Sequence, residues 1–401
     1  MSPDDQPAVS SALQADSLRA GFSSAGLAAL HTQTHALVDQ QQLAGVITLV
    51  ARHGEVVDLD AYGKLDVSQA APVEKNSIFR LASMTKPIIG AAMMMLWEEG
   101  KWAMDDPIAR HIPEFAGLKV KTKSGELVDQ TSPATMRQLM SHSAGFGRTG
   151  DYEGVSLRGG DLQAMIDTLA GLPLSFQPGT EWRYGPSVDI QGYVIEKLSG
   201  QGLDAFLKER LFEPLGMVDT GFFVPEQSLP RLAACYQYRP ANAPRLMEGP
   251  FTNGVLRPGS YLSGAGGLVS TTHDYVAFCR MLANGGRLDG RRVLGRKTLE
   301  LMTVNHFPGG ATLQDMAVGG FGEANFEGVG FGLGFAVGLG PAATTMAGSA
   351  GDFYWGGAAS TAFWVDPAED LFVVFMTQLF PSAAYPFRAQ LRALVYQAID
   401  D

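Results

Sequence analysis

The sequence predicts an α/β protein: an antiparallel β-sheet built from both chain ends and flanked by helices, with a mostly helical insertion. Three observations lead there. Residues 45–51 and 56–62, near the start, are β-rich and separated by a turn-like tripeptide. Residues 360–365 and 371–377, near the end, repeat that pattern around Asp366-Pro367. Most of the chain between carries its apolar residues at helical spacing. On this reading residues 1–85 and 181–401 form the α/β part, roughly the first twenty being loose. Residues 86–180 form the helical insertion.

The elements follow in order. Ser24 is placed to cap a helix whose Leu27, Leu30, Leu37 and Val38 share one face. Gly45 to Ala51 and Val56 to Tyr62 read as a hairpin across His53-Gly54-Glu55. From Ser77 to Glu99 the period changes. Ile88, Ile89, Ala92, Met95 and Leu96 mark a buried helix of about four turns, ending at Gly100, whose first turn contains Ser83 and Lys86. Pro87 is tolerated because it lies near the start. Helices follow at 135–141, 162–170 and 188–198, and Arg210 to Gly216 closes another. Residues 220–265 look irregular, and 274–284 are helical up to Gly285-Gly286. Phe331, Leu333, Phe335 and Val337 alternate with Gly332 and Gly334, which predicts one strand with a bare face open to close approach. Tyr354 to Gly357 opens a strand expected over 358–365, and Leu391, Leu394, Val395 and Ile399 mark a terminal helix.

Composition bounds the function. The 401 residues are 46% hydrophobic and 18% charged, enough for a sizeable core and too apolar for bulk disorder. Thirty basic residues against 41 acidic leave a net charge of −11, with no dense basic run to offset it. Such a surface repels phosphate backbones and anionic lipid, so neither nucleic acid nor a membrane is expected as partner. The two cysteines, Cys235 and Cys279, form no CxxC pair and indicate no disulfide framework. The N-terminal segment reads as no export signal, and the uncharged stretch 328–351 is broken by glycines and Pro341. A cytoplasmic protein is expected.

The chemistry centres on Ser83-Met84-Thr85-Lys86. Residues three apart on a helix share a face, so the hydroxyl and the amine point into one space. Serine becomes a useful nucleophile when a neighbouring base takes its proton, and a lysine serves only when its amine is neutral. Of the ten lysines only Lys86 has serine three residues before it. Alone, the motif is as well explained by a capping serine and a solvated lysine. Tyr184, in the loop FQPGTEWRY, adds a phenol that can relay protons. Tyr354-Trp355-Gly356-Gly357 adds a glycine-rich strand edge whose backbone can bind an oxyanion.

In order and spacing these segments resemble the serine β-lactamase and penicillin-binding-protein fold, in particular its class C-like branch with the family VIII carboxylesterases. Gln138 to Gly145 (QLMSHSAG), Lys208 to Gly216 (KERLFEPLG) and Gly264 to Leu268 (GAGGL) agree, so the likeness spans roughly residues 25–400. The resemblance implies a β-lactamase/transpeptidase-like fold and a role for each residue. Ser83 would be the acylated nucleophile, and Lys86 with Tyr184 the proton-transferring pair. The N–H groups of Ser83 and Ala358 would form the oxyanion hole. Trp355, Gly356 and Gly357 would contact substrate.

Two departures bear on substrate. Lactam-hydrolysing relatives carry Tyr-x-Asn, where this chain has Tyr184-Gly185-Pro186, and Lys-Thr-Gly, where it has Trp355-Gly356-Gly357. Exchanging a cation for an indole removes attraction for a carboxylate and adds apolar wall. The expectation is a small-molecule ester with a short- to medium-chain acyl group, with no metal or other cofactor. A β-lactamase, D-amino-acid peptidase, amide hydrolase or acyltransferase is the alternative on the same scaffold, and a non-enzymatic acyl sensor is a third reading. Other motifs point elsewhere only weakly. There is no Gly-x-Ser-x-Gly and no HExxH. His142 reads as a loop histidine bonded to backbone, Asp105-Asp106-Pro107 as a turn and helix start, and Met93 to Met95 as core.

Overall fold

The computed structural model describes residues 20–148, 151–152, 155–240, 242–318 and 326–401. A seven-stranded sheet organises the chain. Its strands are β1 (Gly45–Arg52), β2 (Glu55–Gly63), β3 (Val329–Phe331), β4 (Ala336–Gly338), β5 (Phe353–Gly356), β6 (Ala362–Asp366) and β7 (Leu371–Met376). They lie in the order β3-β4-β5-β6-β7-β1-β2, every neighbour antiparallel. The β7–β1 pairing, Ile47 opposite Met376 through Arg52 opposite Leu371, joins the two chain ends. The β1–β2 turn is tight because His53 and Gly54 both take positive φ, 55° and 77°.

Alternation along β1 sends Val46 and Val50 to one face and Ile47, Leu49 and Ala51 to the other. The first face is covered by α1 (Ser24–Asp39) and the terminal helix. The second is covered by α2 (Thr85–Glu98) and a helix over Thr272–Ala283. Both faces are therefore buried, which is why β1 has no exposed residue. Beyond α2 come α3 (Met136–Met140), α4 (Leu162–Ala170) and α5 (Ser187–Ser199). The helical packing continues past residue 180, since α5 rests on α2, α3 and α4. The helix at Thr272–Ala283 is α6 and the terminal one, Phe387–Tyr396, is α7.

Four local expectations are corrected. The cap of α1 is Ser23, whose extended backbone (φ −77°, ψ 126°) lets its hydroxyl accept the Gly26 N–H, whereas Ser24 is already helical. The glycine-alternating stretch is a hairpin, with Phe331 opposite Ala336 and Gly334 turning at φ 107°. The close approach expected there does occur, since a Cβ on Gly90 of α2 would lie 2.9 Å from Leu333 O. Tyr354 to Gly356 end a strand of their own, and residues 357–361 turn into β6. Within the irregular 220–265 region, a short strand at Tyr236–Arg239 pairs on one side with Leu379–Phe380 and on the other with Asn242–Leu246. Met93, Met94 and Met95 are core, as expected. Among the described residues no helix is long and apolar enough to cross a membrane.

Candidate active site

Ser83 sits in a single 3₁₀ turn, Ala82–Met84, that runs straight into α2. Ala82 holds φ at 47°, a left-handed conformation that a residue with a Cβ adopts only under constraint. The constraint is a set of hydrogen bonds around the turn. Leu81 N–H donates to Leu268 O (2.9 Å), Thr361 Oγ1 to Leu81 O (3.2 Å), and Tyr275 OH to Met84 O (3.0 Å). Met84 and Thr85 are wholly buried, so the turn sends residues 84 and 85 into the core. Ser83 and Lys86 line a cleft of about 1060 Å³ with Tyr184, Asp189, Tyr261 and Ala358.

The ε-amine of Lys86 lies 3.1 Å from Ser83 Oγ and donates to Ala265 O at 2.6 Å. It also stands 4.3 Å from the centroid of the Tyr184 ring. Tyr184 comes from the loop before α5 and packs among Trp182, His142 and Trp355, with ring centroids 5.0 to 5.6 Å away. Its hydroxyl oxygen accepts the indole N–H of Trp355 at 3.0 Å. The hydroxyl, the amine and the phenol are thus brought to one place although Ser83 and Tyr184 lie 101 positions apart.

Trp355 takes a different place from the apolar wall expected of it. It is 3% exposed, and neither it nor Gly356 or Gly357 is among the residues lining the cleft. Alternation along β5 turns the indole inward beneath Tyr184, so it contacts the phenol directly. Gly357 has another use: a Cβ there would lie 2.3 Å from Leu81 O and 2.2 Å from Thr361 Oγ1. Its bareness lets the 357–361 turn close on the Ser83 segment. The turn is pinned by Gly357 N–H to Thr361 O (2.8 Å) and by Arg388, whose Nη2 donates to Gly357 O and Thr361 O (2.9 Å each). Among the described residues the Ala358 N–H has no hydrogen-bond partner, and Ala358 lines the cleft beside Ser83.

His142 is 2% exposed and packs edge-on to Trp182 and Phe331. The ring bond to backbone expected from sequence is not made: Nδ1 is buried without a partner among the described residues, and only the main chain is bonded, N–H to Leu139 O and O from Arg183 N–H. Burial, then the nearby Lys86 charge, pushes its pKa down to about 3. The ring is a neutral aromatic beside Tyr184.

Asp189 was not singled out from sequence. A carboxylate in the first turn of a helix reads as ordinary dipole stabilisation. Here it is buried, and its Oδ1 accepts from Ser263 Oγ (2.8 Å) and Ala265 N–H (2.9 Å). It therefore holds the N–H of Ala265, the residue whose carbonyl receives Lys86. Among the described residues no cluster of three His, Cys, Asp or Glu side chains could hold a metal.

This architecture, a seven-stranded sheet with a serine-lysine turn at the head of a buried helix, defines a penicillin-binding-protein-like fold. The family model described as Beta-lactamase matches residues 31–397, and the chain belongs to that family. It is 32% identical to Esterase EstB of Burkholderia gladioli over 92% of this chain and 96% of that one. It is 32% identical to Protein Rv1367c of Mycobacterium tuberculosis over 86% and 88% of the two chains. Among solved structures it is similar to EstCE1, described as a hydrolase with promiscuous acyltransferase activity. That match has TM-score 0.78 and 27% identity, covering 93% of this chain and 99% of the other.

Proposed function

We propose that the protein is a serine carboxylesterase that cleaves short- to medium-chain acyl esters through an acyl-serine intermediate. Ser83 Oγ attacks the ester carbonyl carbon while its proton passes to the Lys86–Tyr184 pair. The carbonyl electrons move onto oxygen, which the N–H groups of Ser83 and Ala358 stabilise. When the carbonyl re-forms, the C–O bond to the alcohol breaks and the alcohol leaves with the proton. Water then attacks the acyl carbon, gives a proton to the same pair, and releases the acid and free Ser83. The observation that carries this reading is Lys86 Nζ standing between Ser83 Oγ and the Tyr184 ring, at 3.1 and 4.3 Å. The similarity to Esterase EstB and EstCE1 supports the ester as substrate. Phe222, Phe251, Leu262 and Phe380 in the cleft wall suit an apolar acyl chain.

A second reading, lactam or peptide hydrolysis, draws on Arg158, a cation that also lines the cleft and could meet a substrate carboxylate. Turnover of p-nitrophenyl butyrate beside nitrocefin separates the two. Intact-mass measurement after brief exposure to p-nitrophenyl butyrate or a fluorophosphonate, with peptide mapping, should place the adduct on Ser83. An adduct elsewhere, or ester turnover surviving Ser83→Ala, would refute the assignment. Product analysis with added alcohol tests acyl transfer.

A further inference from the structure

The wall of the catalytic cleft draws on two parts of the molecule. One stretch rests on the sheet. Phe380 follows Leu379, whose N–H donates to Ala359 O (3.0 Å) in the turn that carries Ala358, and Phe251 packs on Phe380 with ring centroids 6.1 Å apart. A second stretch rests on the helical part, where two loops meet. Ser260 Oγ donates to Gly160 O at 3.0 Å, and Tyr261 OH to Met165 Sδ of α4 at 3.2 Å. The first stretch is apolar. The second brings serine hydroxyls, a phenol and one arginine to the cleft.

Among the described residues lining the cleft, only Lys86, Arg158 and Asp189 are charged side chains. Lys86 is engaged at Ser83 and Ala265, and Asp189 is buried with its Oδ1 on Ser263 and Ala265. Arg158 is exposed and forms no ion pair among the described residues. Its guanidinium lies close enough to Tyr261 to act on that phenol: burial, then the Asp189 charge, pushes the Tyr261 pKa up, and the Arg158 charge opposes them. A guanidinium offers five N–H donors in a planar fork, and one tyrosine hydroxyl leaves most of them for a ligand. The chain carries a net charge of −11, so it does not attract anions from a distance. What Arg158 can hold is an anionic group already brought into the cleft by other contacts.

We propose that the cleft selects esters whose alcohol portion carries a carboxylate, and that Arg158 binds it. This rests on the esterase reading given above. The apolar stretch beside the Ala358 turn takes the acyl chain, which leaves the alcohol to the stretch built by Arg158, Tyr261 and Ser260. A carboxylate matches the guanidinium fork with two parallel hydrogen bonds. One guanidinium near the buried Asp189 carboxylate favours a single negative charge over a phosphate dianion. A cleft of about 1060 Å³ holds an aromatic alcohol as well as a short acyl chain.

The test is steady-state hydrolysis, by the full-length protein, of 4-carboxyphenyl butyrate beside its neutral isostere 4-carbamoylphenyl butyrate. Taking the ratio of the two kcat/KM values and comparing it between proteins cancels the intrinsic reactivity of each ester and any general damage to the site. Arg158→Gln should lower the acid-to-amide ratio roughly tenfold, mainly through KM for the acid. Arg158→Lys keeps the charge but loses the fork, and should recover only part of the ratio. Raising salt from about 20 to about 500 mM should lower the ratio in the unsubstituted protein and leave it flat in Arg158→Gln. A ratio unmoved by Arg158→Gln would overturn this inference and leave the esterase reading standing. So would an Arg158-dependent preference for phenyl hydrogen glutarate over phenyl valerate with none for the carboxyphenyl ester, which would put the acid on the acyl side. Turnover of neither butyrate would overturn the esterase reading and this inference with it.

Discussion

Trp355 donates its indole N–H to the hydroxyl oxygen of Tyr184 across 3.0 Å. A donor aimed at a phenol oxygen occupies one of its lone pairs and fixes the direction in which the phenol's own proton points. Trp355→Phe keeps an aromatic body and removes the donor. The expected result is a fall in kcat of roughly tenfold, with KM nearly unchanged. A rise confined to KM for apolar esters would return Trp355 to the role of substrate wall.

The buried imidazole of His142 has a consequence for acid stability. Its folded pKa, about 3, lies below the ordinary value of 6.5, so the unfolded chain takes up a proton that the folded chain refuses in that interval. Folding free energy should therefore decline as pH falls from 6.5 toward 3, by at most about 1.4 kcal/mol per unit from this group. His142→Gln should flatten that part of the curve, read from urea unfolding at several pH values. An unchanged slope would mean that the ring is solvated.

Asp189 acts on Lys86 through Ala265, holding its N–H while Lys86 bonds its carbonyl. Asp189→Ala leaves the Ala265 N–H and Ser263 hydroxyl unpaired in a buried place and should cost about 1–3 kcal/mol of stability. It should also reduce kcat more than it raises KM, because the carbonyl that receives Lys86 is freed to move. Asp189→Asn retains an acceptor oxygen and should restore most of kcat. If Asn is as damaging as Ala, the carboxylate charge matters in its own right.

Gly357→Ala places a methyl group against Leu81 O, a backbone atom that cannot swing aside. The turn bearing Ala358 must retreat from Ser83. A stability loss of about 1–3 kcal/mol is expected, with a loss of turnover far beyond what the remaining folded fraction explains. Near-normal kcat in the folded fraction would remove Ala358 from the oxyanion site.

Much of the fold is legible from local pattern. The 45–62 and 360–377 hairpins, the buried helix after Ser83, and 162–170 follow from periodicity and turn residues that act over a few positions. The Ser83–Lys86 juxtaposition follows too, because helical spacing alone puts both on one side. The 331–337 stretch misled because alternating glycines satisfy both a strand and a turn. What separates the two is Gly334 at φ 107° beneath Gly90, a contact made by a distant helix.

The side-chain pattern along the chain by itself determined the sheet from both ends, the helical stretch between them, and the serine-lysine turn, since each rests on short-range spacing. Only the tertiary structure decided what surrounds that turn. It gave Trp355 to Tyr184, Asp189 to the Ala265 peptide and Arg388 to the turn of Ala358. These pairings span 27 to 171 positions in the sequence, and are set by which faces the packed sheet and helices turn toward each other. Local propensity carries no term for such distances, so these partners become visible only once the core has closed.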